Sequence, residues 1–251
     1  MQMDLQGQTA LVTGAALRIG REISRALAME GANVVIHYRN SVEKAEELSR
    51  ELKDIGVRSW LMKADFDKPD EYKDFISRVI EIAGSLDILI NSASNFEPSK
   101  LEDVGIETVM RDIRVNAWAP FDLCRQFVSQ AERGKIINLL DTRIKGYDKH
   151  HVAYILSKHL LFDVTRIIAA EFAPSFTVNA VAPGLILPPP GKDQSYLERL
   201  AQTVPLKKYG SPKDIADAII YLLKSDFVTG QTIYVDGGRH IKEDGDGPHS
   251  D

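Results

Sequence analysis

The sequence predicts a single doubly wound α/β domain, a parallel sheet with helices on both faces. Two observations carry this. Apolar, β-rich runs alternate with stretches of helical period without a break in composition. A chain of 251 residues, 44% of them hydrophobic, is long enough to bury one large core without disulfides or metal.

The elements follow in order. TALVT (9–13) reads as a strand feeding the helical stretch RIGREISRALAMEG (18–31). NVVIHY (33–38) is the second strand, followed by SVEKAEELSRELKDIG (41–56), an ordinary surface helix with its charges on one side and Leu48 and Leu52 on the other. RSWLMKAD (58–65) is a strand, DEYKDFISRVIEIAG (70–84) a helix and LDILIN (86–91) a strand. Residues 105–131 read as one long helix, KIINLL (135–140) as a strand, 151–172 as another long helix and TVNAVAP (177–183) as a further strand. LILPPPGKDQ (185–194) is too proline-rich for helix or central strand and is expected to be a loop near a site. The polar stretch 242–251 reads as a frayed tail. The expected organisation is one domain over 1–251, with a substrate loop at about 185–202.

Composition narrows the partner. A formal net charge of -5 argues against a general nucleic-acid surface, because neutralising phosphates requires a basic face. No stretch approaches the ~20 apolar residues that span a bilayer, and the stretch MQMDLQGQTALVTGAA has no basic region followed by a long apolar one, so no secretion signal is expected. The single cysteine, Cys124, rules out an internal disulfide and fits a reducing compartment. A cytoplasmic protein acting on a small molecule is expected. His150, His151 and His159 match no metal-ligand spacing, so no metal is expected.

TGAALRIG (13–20) lies between a strand and an amphipathic helix, the context a dinucleotide-binding turn needs. Gly14 suits the tight turn, Gly20 suits close packing of the helix, and the helix N-terminus offers free N–H groups to a pyrophosphate. The second strand ends His37-Tyr38-Arg39-Asn40-Ser41, without the carboxylate that holds a free ribose 2′-hydroxyl. Arg39, Ser41 and Arg18 suit an anionic 2′-phosphate instead, which makes NADPH the expected cofactor. Tyr154 and Lys158 are four residues apart, so one helix face presents phenol and ammonium together. A neighbouring cation lowers the tyrosine pKa from its ordinary value near 10.

The order of these features, with Asn91-Ser92-Ala93-Ser94, Asn116, a strand ending at Asp141 and Pro183-Gly184, resembles the short-chain dehydrogenase/reductase family from Thr9 to Gly238. The resemblance implies a seven-stranded Rossmann fold, a homotetramer and hydride transfer with NAD(P)H. Three departures stand out: Arg18 replaces the middle glycine, Ser92 and Ser94 break the usual Asn-Asn-Ala-Gly, and Asp141 stands where the catalytic serine normally does. Together these look like the pteridine reductase branch.

In that branch the residue matching Phe96 stacks a pterin ring against the nicotinamide, and Asp141, Tyr154 and Lys158 are the catalytic set. Asn116 matches the helix-bending asparagine that helps hold a relay water. The resemblance extends the cofactor set to Ile19, His37, Tyr38, Asn40, Asp65, Phe66, Asn91, Ala93, Ser94, Pro183 and Gly184, with Asp65 at the adenine. It gives the substrate Ser94, Phe96, Asp141, Tyr154 and Leu185. Lys158 would bond the nicotinamide ribose and lower the Tyr154 pKa, while a carboxylate at Asp141 would either oppose phenolate formation, keeping Tyr154 a proton donor, or accept a hydrogen bond from the substrate's amino group. The expected function is NADPH-dependent reduction of a pterin or similar flat heterocycle. The alternatives are a carbonyl reductase of the same family, acting on acyl thioesters, steroids, sugars or small ketones, and a non-catalytic NADPH-binding protein.

Overall fold

In the computed structural model, which describes residues 4–189 and 191–242, seven strands form one parallel sheet. They are β1 (Thr9–Val12), β2 (Asn33–Tyr38), β3 (Ser59–Lys63), β4 (Ile88–Asn91), β5 (Gly134–Leu139), β6 (Phe176–Pro183) and β7 (Thr232–Val235). Their order across the sheet is β3-β2-β1-β4-β5-β6-β7. The chain steps outward from β1 in one direction, then returns to β4 on its other side and steps outward again. The reversal opens a crevice at the carboxyl ends of β1 and β4, where such sheets bind ligands.

Strand alternation divides the core into two layers. Leu11, Val35, Leu89 and Ile136 face one layer with Phe75, Val79, Leu123 and Phe127. Ala10, Val12, Val34, Ile36 and Ile90 face the other with Ile23, Leu27, Ile215 and Ile219. Helices α1 (Arg18–Met29), α2 (Val42–Ile55) and α8 (Pro212–Lys224) supply the second layer. The first is supplied by α3 (Phe75–Ala83), α5 (Ala119–Gln130) and α6 (Val152–Glu171).

Two helices differ from the sequence reading. The stretch 105–131 is not one regular helix: α4 (Ile106–Ile113) passes through a π-helical segment, Arg114–Trp118, before α5. The wider turn shifts the helical register, which a fixed 3.6-residue period does not register. The helix expected over 70–84 begins only at Phe75, after a 3₁₀ turn at Pro69–Glu71. Pro69 suits the start of that turn, and the continuous helix begins only where the apolar period is regular. The sequence reading also missed α7 (Gln194–Ala201) and α8, although Ser211 and Asp214 form a capping box at the start of α8. The expected frayed tail lies outside the described residues beyond Lys242.

Candidate active site

The loop after β1 requires its glycines for different contacts. Gly14 has φ +65°, and a Cβ there would lie 2.9 Å from Ala93 Cα. A Cβ on Gly20 would lie 2.3 Å from the Gly14 carbonyl oxygen, so this glycine lets the helix approach the turn itself. Arg18 has φ +56°, a left-handed conformation that favours glycine. Its guanidinium donates to the Pro188 carbonyl at 2.9 Å, tying the turn to the proline-rich loop. Thr13 Oγ1 accepts from the amides of Ser92 (2.9 Å) and Ala93 (3.0 Å), which fixes the loop after β4 against the turn.

A cleft of about 290 Å³ brings together many of the residues expected at the cofactor. Gly14, the run His37–Ser41, Asp65, Phe66, Ala93 and Ser94 all line it. Arg39 and Asn40 are exposed, and the Ser41 hydroxyl makes no capping bond although it starts α2. A dinucleotide fits this arrangement: a turn too tight for a Cβ, beside an exposed arginine and an available hydroxyl at a helix N-terminus.

Two of the expected cofactor residues also make contacts that hold the fold together. His37 is buried; its Nδ1 accepts the Gly14 amide at 3.0 Å, its Nε2 faces the Ala64 carbonyl at 3.1 Å, and its ring stacks on Phe66 at 4.2 Å. Burial lowers the His37 pKa to about 4, so the ring is neutral, with Nε2 as donor. The Asn91 side chain is directed into the core, donating to Asn138 at 2.8 Å, and Asn138 donates to Thr165 at 2.9 Å. Arg18, Ile19, Gly20, Asn91, Pro183 and Gly184 do not line the cleft.

Asp141 follows β5, and Tyr154 and Lys158 lie one turn apart on α6. Tyr154 Oη donates to Asp141 Oδ2 at 3.0 Å, and Asp141 Oδ1 accepts the Arg143 amide at 2.8 Å. Lys158 Nζ donates to the Leu139 carbonyl at 2.8 Å and lies 5.6 Å from the Tyr154 ring centroid. The expectation that Lys158 lowers the Tyr154 pKa is corrected here. Burial, followed by the Asp141 charge, pushes Tyr154 well above 10, which keeps it a proton-bearing phenol. Burial also brings Lys158 down to about 8, against the opposing influence of Asp141 and Asp112.

Asn116 sits in the π segment, at the expected bend, with its side chain wholly buried. Its Oδ1 accepts from the Asn95 amide (2.7 Å) and Ser94 Oγ (3.1 Å), while its Nδ2 donates to the Asn95 carbonyl (3.0 Å) and Ser157 Oγ (2.9 Å). These bonds fix the loop carrying Phe96 to the catalytic helix, so the Asn116 side chain positions its neighbours and does not reach the Tyr154 phenol.

Phe96 stands edge-on to Tyr154, with centroids 4.8 Å apart, but it is not an isolated platform. His151 stacks on it at 4.1 Å, and the Arg143 guanidinium lies 5.4 Å from its centroid. Asp148 joins these two, accepting from His151 Nδ1 at 2.9 Å and from Arg143. Burial alone would raise the Asp148 carboxyl, but the His151 hydrogen bond and the Arg143 charge outweigh it and hold the group below the usual carboxylate range. The sequence reading missed Arg143, Asp148 and His151. Their signal was spacing, since Asp148, His151 and Tyr154 follow one another at intervals of three into the catalytic helix. Leu185, expected at the substrate, is buried in a small cluster with Leu197 and Val204.

Cys124 is fully buried, which pushes its thiol up to about 12 and makes it inert. Among the described residues, no group of three or more His, Cys, Asp or Glu is placed to hold a metal ion, and no helix is long and apolar enough to cross a membrane.

Comparison with known proteins adds to this geometry. A sequence model of the family described as Enoyl-(Acyl carrier protein) reductase matches residues 14–240. The 3-oxoacyl-(acyl-carrier-protein) reductase FabG of Staphylococcus epidermidis is 35% identical, over 93% of this chain and 99% of its own length. The structure of FolM alternative dihydrofolate reductase 1 from Brucella suis, in complex with NADP, superposes with a TM-score of 0.91 at 28% identity, covering 98% of this chain and 99% of that one. A blue fluorescent protein from a metagenomic library, in complex with NADPH, gives a TM-score of 0.87 at 30% identity, covering 94% of this chain and 99% of that one.

Proposed function

The chain belongs to the short-chain dehydrogenase/reductase family, and on that premise we propose that it uses NADPH to reduce a pterin or a similar flat heterocycle. The observation that carries this reading is the hydrogen bond from Tyr154 to Asp141. A ketone gains negative charge on oxygen as it is reduced, and a carboxylate beside that oxygen would oppose the change. A pterin edge offers ring N–H and amino donors, which Asp141 can accept. The FolM structure supports the same reading, being an alternative dihydrofolate reductase of nearly identical fold.

NADPH, when bound, supplies the hydride. Arg39 and Ser41 would hold its 2′-phosphate, the Gly14 turn would admit its pyrophosphate, and Lys158 has two ammonium donors left that would serve the nicotinamide ribose. Tyr154 gives its phenolic proton to the substrate nitrogen as the adjacent carbon receives the hydride, so a C=N bond becomes HC–NH. Asp141 orients the phenol and receives the substrate's N–H groups. Phe96, backed by His151, provides the flat surface for the ring. A homotetramer in the cytoplasm is the assembly and setting consistent with this reading.

The 35% identity to FabG favours a second reading, a 3-oxoacyl thioester reductase. A turnover panel following NADPH loss with dihydropterins, dihydrofolate, quinones and acetoacetyl thioesters separates the two. Turnover of the pterins supports the first reading, and activity confined to the thioester overturns it.

A further inference from the structure

β2 and β3 end side by side. Tyr38 and Lys63 are register partners at the carboxyl edge of the sheet, and Arg39 follows directly on Tyr38. Strands paired in this way lie about 5 Å apart, so two long cationic side chains start from neighbouring points. Both are exposed, and both line a polar cleft of about 530 Å³. This second cleft shares Arg39, Asn40 and Asp65 with the cofactor cleft, so the two meet at the end of β2.

The second cleft carries charges of both signs, and most of them are already matched. Lys68 Nζ donates to Glu71 at 3.0 Å and lies 3.9 Å from Asp65. Glu71 also accepts the Asp65 amide at 2.7 Å. Asp74 pairs with Arg78 at 3.2 Å, and Asp70 with Lys73 at 3.7 Å. Arg39 and Lys63 remain: among the described residues, neither has an ion-pair partner or a side-chain hydrogen bond. Two unmatched cations on one concave surface repel each other and raise the local positive potential, and a multiply charged anion relieves both effects. A phosphate has enough acceptor oxygens to meet a guanidinium and an ammonium together.

We propose that Lys63 is a second reader of the cofactor's 2′-phosphate, acting with Arg39. The phosphate site then draws on the ends of two adjacent strands, and Lys63 adds to the preference for NADPH over NADH. This inference rests on the proposed role of Arg39 but not on the identity of the substrate.

Fluorescence titration of the full-length protein with NADPH and NADH tests it without turnover. Lys63→Ala should raise the Kd for NADPH by about 3- to 10-fold and leave that for NADH unchanged, while Lys63→Arg should keep the wild-type ratio of the two. In a thermal-shift measurement, adenosine 2′,5′-bisphosphate should stabilise the wild type more than adenosine 5′-phosphate does, and Lys63→Ala should narrow that difference. Lys53→Ala removes an equal charge from an exposed position on α2 and should leave the nucleotide ratio as in the wild type. Equal losses for NADPH and NADH in Lys63→Ala, or the same change of ratio in Lys53→Ala, overturn the proposal. Selectivity lost in Arg39→Ala but intact in Lys63→Ala overturns the role of Lys63 alone. Selectivity intact in both variants overturns the role of Arg39 as well.

Discussion

Tyr154 and Asp141 share a 3.0 Å hydrogen bond in which the phenol donates and the carboxylate accepts. Because burial and the Asp141 charge both raise the Tyr154 pKa, removing the charge should lower it. In Asp141→Asn, an ultraviolet titration of the phenol should show Tyr154 ionising at lower pH than in the wild type, though still raised because burial persists. Tyr154→Phe, which removes the proton donor, should lower kcat by about 10²- to 10⁴-fold with NADPH affinity retained. An Asp141→Asn titration identical to wild type would mean that the carboxylate has no effect on the phenol.

Arg39 is exposed at the end of β2 and lines the cofactor cleft with Ser41, whose hydroxyl makes no capping bond. A charge-assisted contact to a 2′-phosphate is worth about 1.5–3 kcal/mol. Arg39→Ala should therefore raise the Kd for NADPH by about 10- to 100-fold and that for NADH by much less. Fluorescence titration with both nucleotides checks this, and equal losses would show that Arg39 does not read the phosphate.

The left-handed backbone at Arg18 means that the loop keeps a glycine-like conformation while carrying a cation. Two effects oppose each other in Arg18→Gly. Relief of the backbone contributes about 1 kcal/mol, and loss of the bond to the Pro188 carbonyl costs a similar ~1 kcal/mol. Tm should change little, whereas the proline-rich loop should become more sensitive to limited proteolysis and NADPH should bind less tightly. A variant with wild-type proteolysis would show that the Arg18 contact does not restrain the loop.

The strand pattern was legible because every central strand is buried on both faces, leaving continuous apolar runs such as NVVIHY and LDILIN. The break at Arg114–Trp118 was not, since a π turn depends on one inserted residue and Asn116 alone does not specify it. Tyr154, Lys158 and Asp141 were legible from spacing and order. Arg143, Asp148 and His151 were overlooked because their contacts form between the 3₁₀ turn after β5, the start of α6 and the loop carrying Phe96, and no periodicity joins those segments.

Phe96 and His151 act as a stacked pair, so the phenyl ring should contribute to substrate binding more than to cofactor binding. Phe96→Ala should raise the KM of a pterin by about tenfold, the scale of one aromatic contact of ~1.5 kcal/mol, and leave NADPH affinity unchanged. Steady-state kinetics with the substrate and cofactor varied in turn checks this, and an unchanged pterin KM counts against stacking.

His37 joins the cofactor turn to the end of β3 only while its ring is neutral. Protonating Nδ1 removes the acceptor for the Gly14 amide, and the burial that lowers its pKa to about 4 makes the charge costly. In the unfolded chain the same group titrates near 6.5, so between those values the unfolded state binds more protons and stability must fall as pH falls. The contribution is fully present above about 6.5 and lost by about 4, and the gap corresponds to roughly 3 kcal/mol. Urea unfolding measured across that window should show this loss in the wild type. In His37→Asn, which keeps an acceptor and a donor but does not titrate, the curve should flatten. Because the bond at risk holds the Gly14 turn, NADPH affinity should fall over the same window and the variant should retain it. Parallel pH dependences in wild type and variant would assign the acid sensitivity to other groups.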